Sequence, residues 1–298
     1  MLHSSLIKKL VGHPLNQRQK IQTLSKFISW NIGMKLVSEP IVHEWIGGAK
    51  FIARKNEFCL AWNVHCGLLE FNDMSFLLHA LSSDDLFVDV GANGGSYTLL
   101  ASKVKGAKTI CFEPVPDTHE RLLANIRLNG IGDHVTPLNI GLSDAEGELS
   151  FTANPELTGK NHVLTDSEPS EHTVRVRVKT MDSALENKSP AMLKIDVEGF
   201  EAPVLHGAQK ILSCPSLLSV IIELNESGAR YGVKDDDIVR TLQDHGFSTY
   251  AYEPIHRKLE ELNGKNRSAG NTIFIRDLEA VKSRIARAPK FEINGIEI

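Results

Sequence analysis

The sequence predicts an open α/β fold: a mostly parallel sheet covered by helices, with a small N-terminal α/β appendage. Three observations predict it. From Leu86 onward, short apolar or β-branched runs alternate with helical stretches. These runs are apolar on both faces, as strands buried between helical layers are. The first ends in the glycine-rich turn Gly91-Ala92-Asn93-Gly94-Gly95, placed where sheets of this kind bind ligands.

Residues 2–12 and 17–37 carry apolar side chains at irregular helical spacing, interrupted by Pro14. Ile21, Leu24, Phe27, Ile28 and Ile32 suit one helix face, with Lys20, Lys26 and Lys35 outside it. Residues 1–38 hold six Lys or Arg and no Asp or Glu. Three roles are open for this segment: a helix packed on the main body with a solvated basic face, a basic amphipathic contact with an anionic membrane or a partner, or a removed targeting segment. Residues 41–72 look strand-like. Lys50–Asn56 and Cys59–Val64 flank a polar turn, and Gly67 leads into Leu68–Phe71. A helix over Met74–Leu81 and a polar loop over Ser82–Asp85 follow.

The expected strands of the main body are Leu86–Val90, Thr109–Phe112, Val135–Ile140, Met192–Ile195 and Leu218–Leu224. The expected helices are Ser96–Lys105, Asp117–Asn129, Glu201–Leu212 and Asp235–His245. Two later strands, Ser248–Tyr252 and Thr272–Arg276, are separated by a polar stretch. Residues 154–172, rich in Ser, Glu and Thr, read as a long loop, and long loops in compact domains are often functional.

Composition narrows the function classes. The 298 residues are 42% hydrophobic and 23% charged, with a net charge of −4. That mild acidity argues against a dedicated nucleic-acid partner, which calls for a basic face. The four cysteines are too scattered for a disulfide framework, and Cys59 and Cys66 lack a zinc spacing. A reduced, cytoplasmic setting fits. No run approaches the length of a membrane span, so the expectation is a soluble protein, or one held peripherally at the inner face of a membrane. No apolar core with a small-residue cleavage site marks a signal peptide.

The strongest chemical signal is Phe87-Val88-Asp89-Val90-Gly91-Ala92-Asn93-Gly94-Gly95-Ser96-Tyr97-Thr98. Its glycines permit a sharp turn and close approach of a ligand. A dinucleotide site wants Gly-x-Gly-x-x-Gly, with helix-terminal amides facing a pyrophosphate. Here the order is Gly-x-x-Gly-Gly, and Asp89 precedes the turn. A carboxylate there repels a pyrophosphate but attracts, directly or through water, the ammonium of S-adenosylmethionine (SAM). Glu113 ends the next apolar strand, where it can accept hydrogen bonds from both ribose hydroxyls. Pro114 holds it in an extended backbone. After the third strand, Leu142, Ser143 and Asp144 lie where an adenine would pass: Leu142 can cover a ring face, and Asp144 can accept from the exocyclic amine or simply close a turn. The segment Leu193-Lys194-Ile195-Asp196-Val197-Glu198-Gly199-Phe200-Glu201 again puts acids at a strand end. An extended backbone would set Asp196 and Glu198 on one face; helix N-terminal acids favoured by the dipole are the alternative.

These segments, with Leu122 and Asn125, Val204-Leu205-x-Gly207-Ala208, Ile221-Ile222-Glu223 and Gly270-Asn271-Thr272-Ile273-Phe274-Ile275, resemble the FkbM family of methyltransferases over roughly residues 64–276. The resemblance implies a Rossmann-like class I methyltransferase fold: a seven-strand, mostly parallel sheet with an antiparallel last strand. It also implies methyl transfer from SAM, usually to a hydroxyl oxygen, on acceptors such as polyketide macrolides or sugars of glycans and glycolipids. The expected division is an N-terminal appendage over 1–80, a methyltransferase domain over 81–278 and a C-terminal tail over 279–298.

Transfer to oxygen demands in-line placement of the acceptor, and a neutral aliphatic hydroxyl gains from a general base. Asp196, Glu198, Glu223 and His162 are the candidates, with Glu198 preferred and Asp196 orienting the site. Gly91, Ala92, Asn93, Gly94, Tyr97 and Asp196 complete the expected SAM contacts. No metal is expected; an oxygen set from Asp196, Glu223 and Asn225 is the alternative. A nicotinamide-dependent oxidoreductase and a non-catalytic scaffold of the same fold are the rival classes.

Overall fold

The computed structural model describes every residue except 1–3, 37–38, 55–57, 155–157 and 166–171. The N-terminal helices α1 (Ser4–Gly12) and α2 (Lys20–Leu36) are separated by a short turn at Pro14, as the missing proline N–H dictates. They lead into an antiparallel pair, β1 (Ile41–Glu44) and β2 (Lys50–Ala53), then α3 (Phe58–Cys66) and α4 (Phe71–Ala80).

The expected strand Cys59–Val64 is therefore a helix. Leu60 and Val64 pack with Phe51 and Ala53 of β2, while Trp62 and Cys66 pack with Leu10 and Phe27 of α1 and α2. Two i,i+4 pairs offset by two residues look like strand alternation in the sequence, yet they mark a helix buried on two sides. Leu68–Phe71 is not a strand either; Asn63 Oδ1 accepts from the Leu69 N–H at 2.8 Å and turns the chain into α4. On α2, Phe27 faces inward with Thr23 and Met34, whereas Ile21, Ile28 and Ile32 lie exposed.

The main sheet begins with β3 (Leu86–Val90), followed by α5 (Ser96–Leu99), which runs on in wider turns to Val104. Next come β4 (Lys108–Phe112), α6 (Pro116–Asn129) and β5 (Val135–Leu138). The chain then leaves the main sheet for a small one, β6 (Gly141–Leu142), β7 (Gly147–Thr152) and β8 (Thr173–Lys179), so the expected strand to Ile140 ends earlier. The stretch expected as a loop over 154–172 connects β7 to β8; Val163 pairs with Phe151, and 155–157 and 166–171 lie outside the described residues. After α7 (Met181–Ala184) and β9 (Met192–Ile195), the predicted helix Glu201–Leu212 is split into α8 (Glu201–His206) and α9 (Gln209–Leu212). Gly207 makes the break: a Cβ there would sit 2.1 Å from the Ser143 carbonyl oxygen.

The remaining elements are β10 (Ser219–Glu223), α10 (Asp235–Asp244), β11 (Ser248–Glu253), β12 (Lys258–Glu261), β13 (Asn271–Ile275), α11 (Leu278–Arg287) and a terminal hairpin, β14 (Glu292–Ile293) with β15 (Ile296–Glu297). The main sheet has the order β12-β11-β13-β10-β9-β3-β4-β5. Strands β3, β4, β5, β9 and β10 are parallel, and β13 runs antiparallel between β10 and β11. This is the Rossmann-like methyltransferase sheet with its antiparallel last strand, enlarged by an eighth strand, β12, in a stretch too polar to read as a strand. None of its residues is buried, so this edge strand carries no apolar run.

The two ends of the chain meet. Leu15 and Leu68 share a core cluster with Ile293, Ile296 and Ile298, and Gln19 Nε2 donates to the Asn294 carbonyl at 3.1 Å. Two asparagines of α6 tie the appendage to the main body. Asn129 accepts from the Lys50 N–H and donates to its carbonyl, at 2.8 and 2.6 Å. Asn125, fully buried, accepts from the Ile52 N–H and donates to the Gly94 carbonyl, both at 2.8 Å. Asn125→Ala strands a backbone donor and a backbone acceptor, and should lower the unfolding free energy by about 3 kcal/mol in urea titrations.

Candidate active site

A cleft opens at the carboxyl ends of β3, β4, β9 and β10. On its β3 side, Asp89 is 1% exposed, and Thr98 donates its hydroxyl to Asp89 Oδ2 at 2.7 Å. Burial pushes this carboxyl up to about 6, opposed by Thr98 and by the charge of Lys194. Beyond Val90 the chain turns back on itself: the Gly91 and Ala92 N–H groups both donate to the Phe112 carbonyl at 3.0 Å. Gly91 sits at φ 80°, and a Cβ there would lie 1.8 Å from the Asp196 carbonyl oxygen, so no side chain fits. Asn93, at φ 49°, donates its N–H to Glu113 Oε2 at 2.9 Å, and the Val115 N–H donates to Oε1 at 3.0 Å. Each Glu113 oxygen retains a lone pair for a further donor, an arrangement suited to a vicinal diol. Burial raises Glu113 to about 7 against these two N–H bonds.

On the opposite side, β9 stops at Ile195, and the chain leaves through Glu198 at φ 54° and Gly199 at φ 103°. Asp196 and Glu198 therefore flank a turn rather than sharing an extended strand face. Glu201 closes that turn, its Oε1 accepting from the Val197 and Gly199 N–H groups at 3.2 Å each. Asp196, Glu198 and Glu223 nonetheless converge, each offering an oxygen within 4.8 Å of the others. Burial, then the Asp196 charge, pushes Glu198 up to about 7 and Glu223 up to about 9. Asn225 does not join them; its Oδ1 accepts from the Ser227 N–H at 2.9 Å.

A buried cation offsets this acidity. Lys194 is 1% exposed and donates to Asp196 Oδ2 and to Asn271 Oδ1, both at 3.0 Å. Burial alone would lower its pKa, but the carboxylates of Asp196, Glu70 and Glu223 reverse that and hold it above its ordinary value. Asn271 extends the network, donating to Glu70 Oε1 at 2.8 Å and to Asp73 Oδ2 at 3.1 Å. Tyr97 donates its hydroxyl to Glu70 Oε2 at 2.7 Å, and its ring lies 5.3 Å from the ammonium of Lys194.

Asp89, Gly91, Ala92, Asn93, Tyr97 and Glu113 all line this cleft, as do Asp196, Glu198 and Glu223. Gly94 does not; its carbonyl is taken by Asn125. Leu142 lines a small apolar cavity next door that shares Gly91, Pro114 and Phe151 with the cleft. Ser143 and Asp144 line neither cavity: Ser143 donates its hydroxyl to Asp144 Oδ1 at 3.0 Å, and Asp144 is exposed. His162 is also outside the lining, with Nδ1 2.9 Å from the Lys160 carbonyl oxygen, while its neighbours Gly159 and Asn161 reach the cleft. Lys194, Asn271, Glu70 and Asp73 carry no role in the sequence reading. The available signal is a lysine inside the apolar strand Leu193-Lys194-Ile195, which only a buried acidic partner tolerates.

The profile of the methyltransferase FkbM domain matches residues 89–249, which include both sides of the cleft. The chain belongs to the FkbM methyltransferases. Among curated relatives, the hexuronic acid methyltransferase AglP of Haloferax volcanii is 29% identical over 236 residues, covering 78% of this chain and 90% of AglP. Methyltransferase sdnD of Sordaria araneosa is 33% identical over 129 residues, covering 43% of this chain and 49% of sdnD. Among solved structures, Pyrococcus horikoshii TYW2 in complex with MeSAdo aligns with a TM-score of 0.42 at 18% identity, covering 80% of this chain and 70% of its own.

Two outcomes follow from the electrostatics of this FkbM site. Lys194→Met leaves Asp196 and Asn271 without their buried donor and should cost about 3 kcal/mol of unfolding free energy in denaturant titrations. Asp73, Glu113, Glu198 and Glu201 are each raised to about 7, with burial the leading cause. At these four groups the folded chain thus binds more protons than the unfolded chain between their ordinary values and about 7, outweighing the opposite effect of His65 and His79, which burial lowers to about 4. Their contribution to stability is present at lower pH and lost as the pH rises through about 7. The melting temperature of the ligand-free protein, followed by calorimetry, should be higher at pH about 5 than at pH about 8; a profile rising with pH would contradict it.

Proposed function

We propose that the protein transfers the methyl group of SAM to a hydroxyl oxygen of a sugar, in a glycan, a glycolipid or another metabolite. The convergence of Asp196, Glu198 and Glu223 opposite the Asp89–Glu113 side of one cleft carries this reading. The hexuronic acid named for AglP supports the choice of a sugar acceptor.

The residues present fit SAM. The buried Asp89 carboxylate suits an ammonium, the free lone pairs of Glu113 suit two ribose hydroxyls, and Leu142 lines an apolar cavity suited to an adenine face. SAM supplies an electrophilic methyl on a sulfonium that leaves as a neutral thioether. The chain supplies placement and proton removal. Glu198 is the base, because an acid raised to about 7 is partly ionised at neutral pH and still takes a proton readily. Asp196, pinned by Lys194, orients the acceptor. Glu223, raised to about 9, is protonated at neutral pH and donates a hydrogen bond instead of adding a charge. With that proton and the Lys194 ammonium in place, the cluster is less anionic than a divalent-cation site, and turnover should persist in EDTA.

Glu198→Gln should reduce kcat by about 10²-fold or more, with SAM affinity in calorimetry nearly unchanged. Because the base acts when ionised, wild-type kcat/KM should rise with pH through about 7, and the variant should lose that rise. The product should be an ether, stable to mild alkali. An alkali-labile methyl would assign a carboxylate acceptor and remove the need for a base. Failure to bind SAM or S-adenosylhomocysteine, with NAD bound instead, would overturn the donor.

A further inference from the structure

Among the described residues, six large apolar side chains are exposed, and five of them belong to α2 and the strand that follows it. Ile21 is 86% exposed, Ile28 48%, Ile32 54% and Leu36 81%; Val42 of β1 is 51% exposed. Along α2, positions 21, 28, 32 and 36 recur at helical spacing and form one stripe, while Thr23, Phe27 and Met34 are buried on the other side. The helix is thus apolar on two faces, and only one is used by the fold.

The helical part of the stripe has basic surroundings, while Glu39 and Glu44 flank Val42. Lys8 and Lys9 on α1, with Arg18, Lys20 and Lys26, are all exposed, and residues 1–38 contain no acid. We propose that α1 and α2 dock on the anionic surface of a lipid bilayer. The aliphatic stripe enters the boundary between headgroups and acyl chains, and the lysines pair with the lipid charges. Charge decides between the occupants. A second copy would bring one basic surface against another, and a protein partner is commonly met by aromatic anchors with lysine depleted, whereas this stripe is purely aliphatic. No described helix is long and apolar enough to cross a membrane, so α2 lies in the plane of the surface. The dock is one helix away from the cleft, since Phe27 of α2 packs on Trp62 of α3, and α3 lies against the 158–160 turn whose Gly159 lines the cleft. The surface role stands whatever the methyl acceptor is.

Vesicle sedimentation tests it with the full chain. Vesicles of phosphatidylcholine with about one third phosphatidylglycerol should bind at least tenfold more tightly than pure phosphatidylcholine, and the difference should shrink in high salt. Ile28→Asp combined with Ile32→Asp removes apolar contact at exposed positions. It should abolish vesicle binding while leaving the circular dichroism spectrum and melting temperature unchanged. Lys20→Glu combined with Lys26→Glu should weaken binding to the anionic vesicles alone. Equal binding to both vesicle types, no binding by the wild type, or full binding by the isoleucine variant each overturns the proposal. A dimer seen by light scattering and lost in the isoleucine variant would assign the stripe to a second copy, which also overturns it.

Discussion

The site depends on how closely two strand ends approach each other. At the carboxyl end of β3 the backbone of Gly91 lies so near that of Asp196 that a Cβ would overlap the Asp196 carbonyl oxygen at 1.8 Å. The Asp196 N–H meanwhile donates to the Val90 carbonyl at 3.0 Å. The glycine turn after β3 and the acids after β9 are thus parts of a single rigid junction. Any residue with a side chain at position 91 would push the two halves apart, and a displacement of an ångström in a transfer reaction is costly. The left-handed φ of 80° makes the same demand independently.

Around that junction the chain concentrates acids where burial disfavours their charge. Asp89, Glu113, Glu198, Glu201 and Glu223 are all raised, each with burial as the first cause. Three of them are held by hydrogen bonds: Asp89 accepts from Thr98, Glu113 from two backbone N–H groups, and Glu201 closes the turn after β9. Lys194 is the cation that makes the crowd tolerable, and Asn271 relays its influence to Glu70 and Asp73 on the far wall. Asn271 belongs to β13, the antiparallel strand, so the odd strand of the sheet helps to build the polar wall.

Much of this was legible in the sequence, for definable reasons. The parallel strands were visible because burial on both faces leaves a continuous apolar run, as in Leu86–Val90. The β3 side of the cleft was visible because Gly91, Asp89 and Glu113 answer local demands of backbone and charge. The helix α3 was misread because its two buried faces mimic alternation, and β12 was missed because an edge strand needs no apolar pattern. Lys194 went without a role because, apart from Asp196, its partners Asn271 and Glu70 are remote in sequence and only the fold brings them together. Ser143 and Asp144 looked local to the cleft, yet the chain turns away at β6, where the Ser143 carbonyl packs on Gly207.

The meeting of the two chain ends has a consequence for biosynthesis. Gln19 finds its partner Asn294 at a separation of 275 residues, and Asn16 bonds the same asparagine across 278. On the ribosome, the segment between α1 and α2 therefore emerges long before the residues that hold it down. Contacts of such long range close late and slow folding. Phe27 of α2 is covered much earlier, by Trp62 and His65 of α3, whereas Leu15, Asn16 and Gln19 stay uncovered until the terminal hairpin is made. The segment joining α1 to α2 therefore docks last, and the terminal hairpin closes the fold over it.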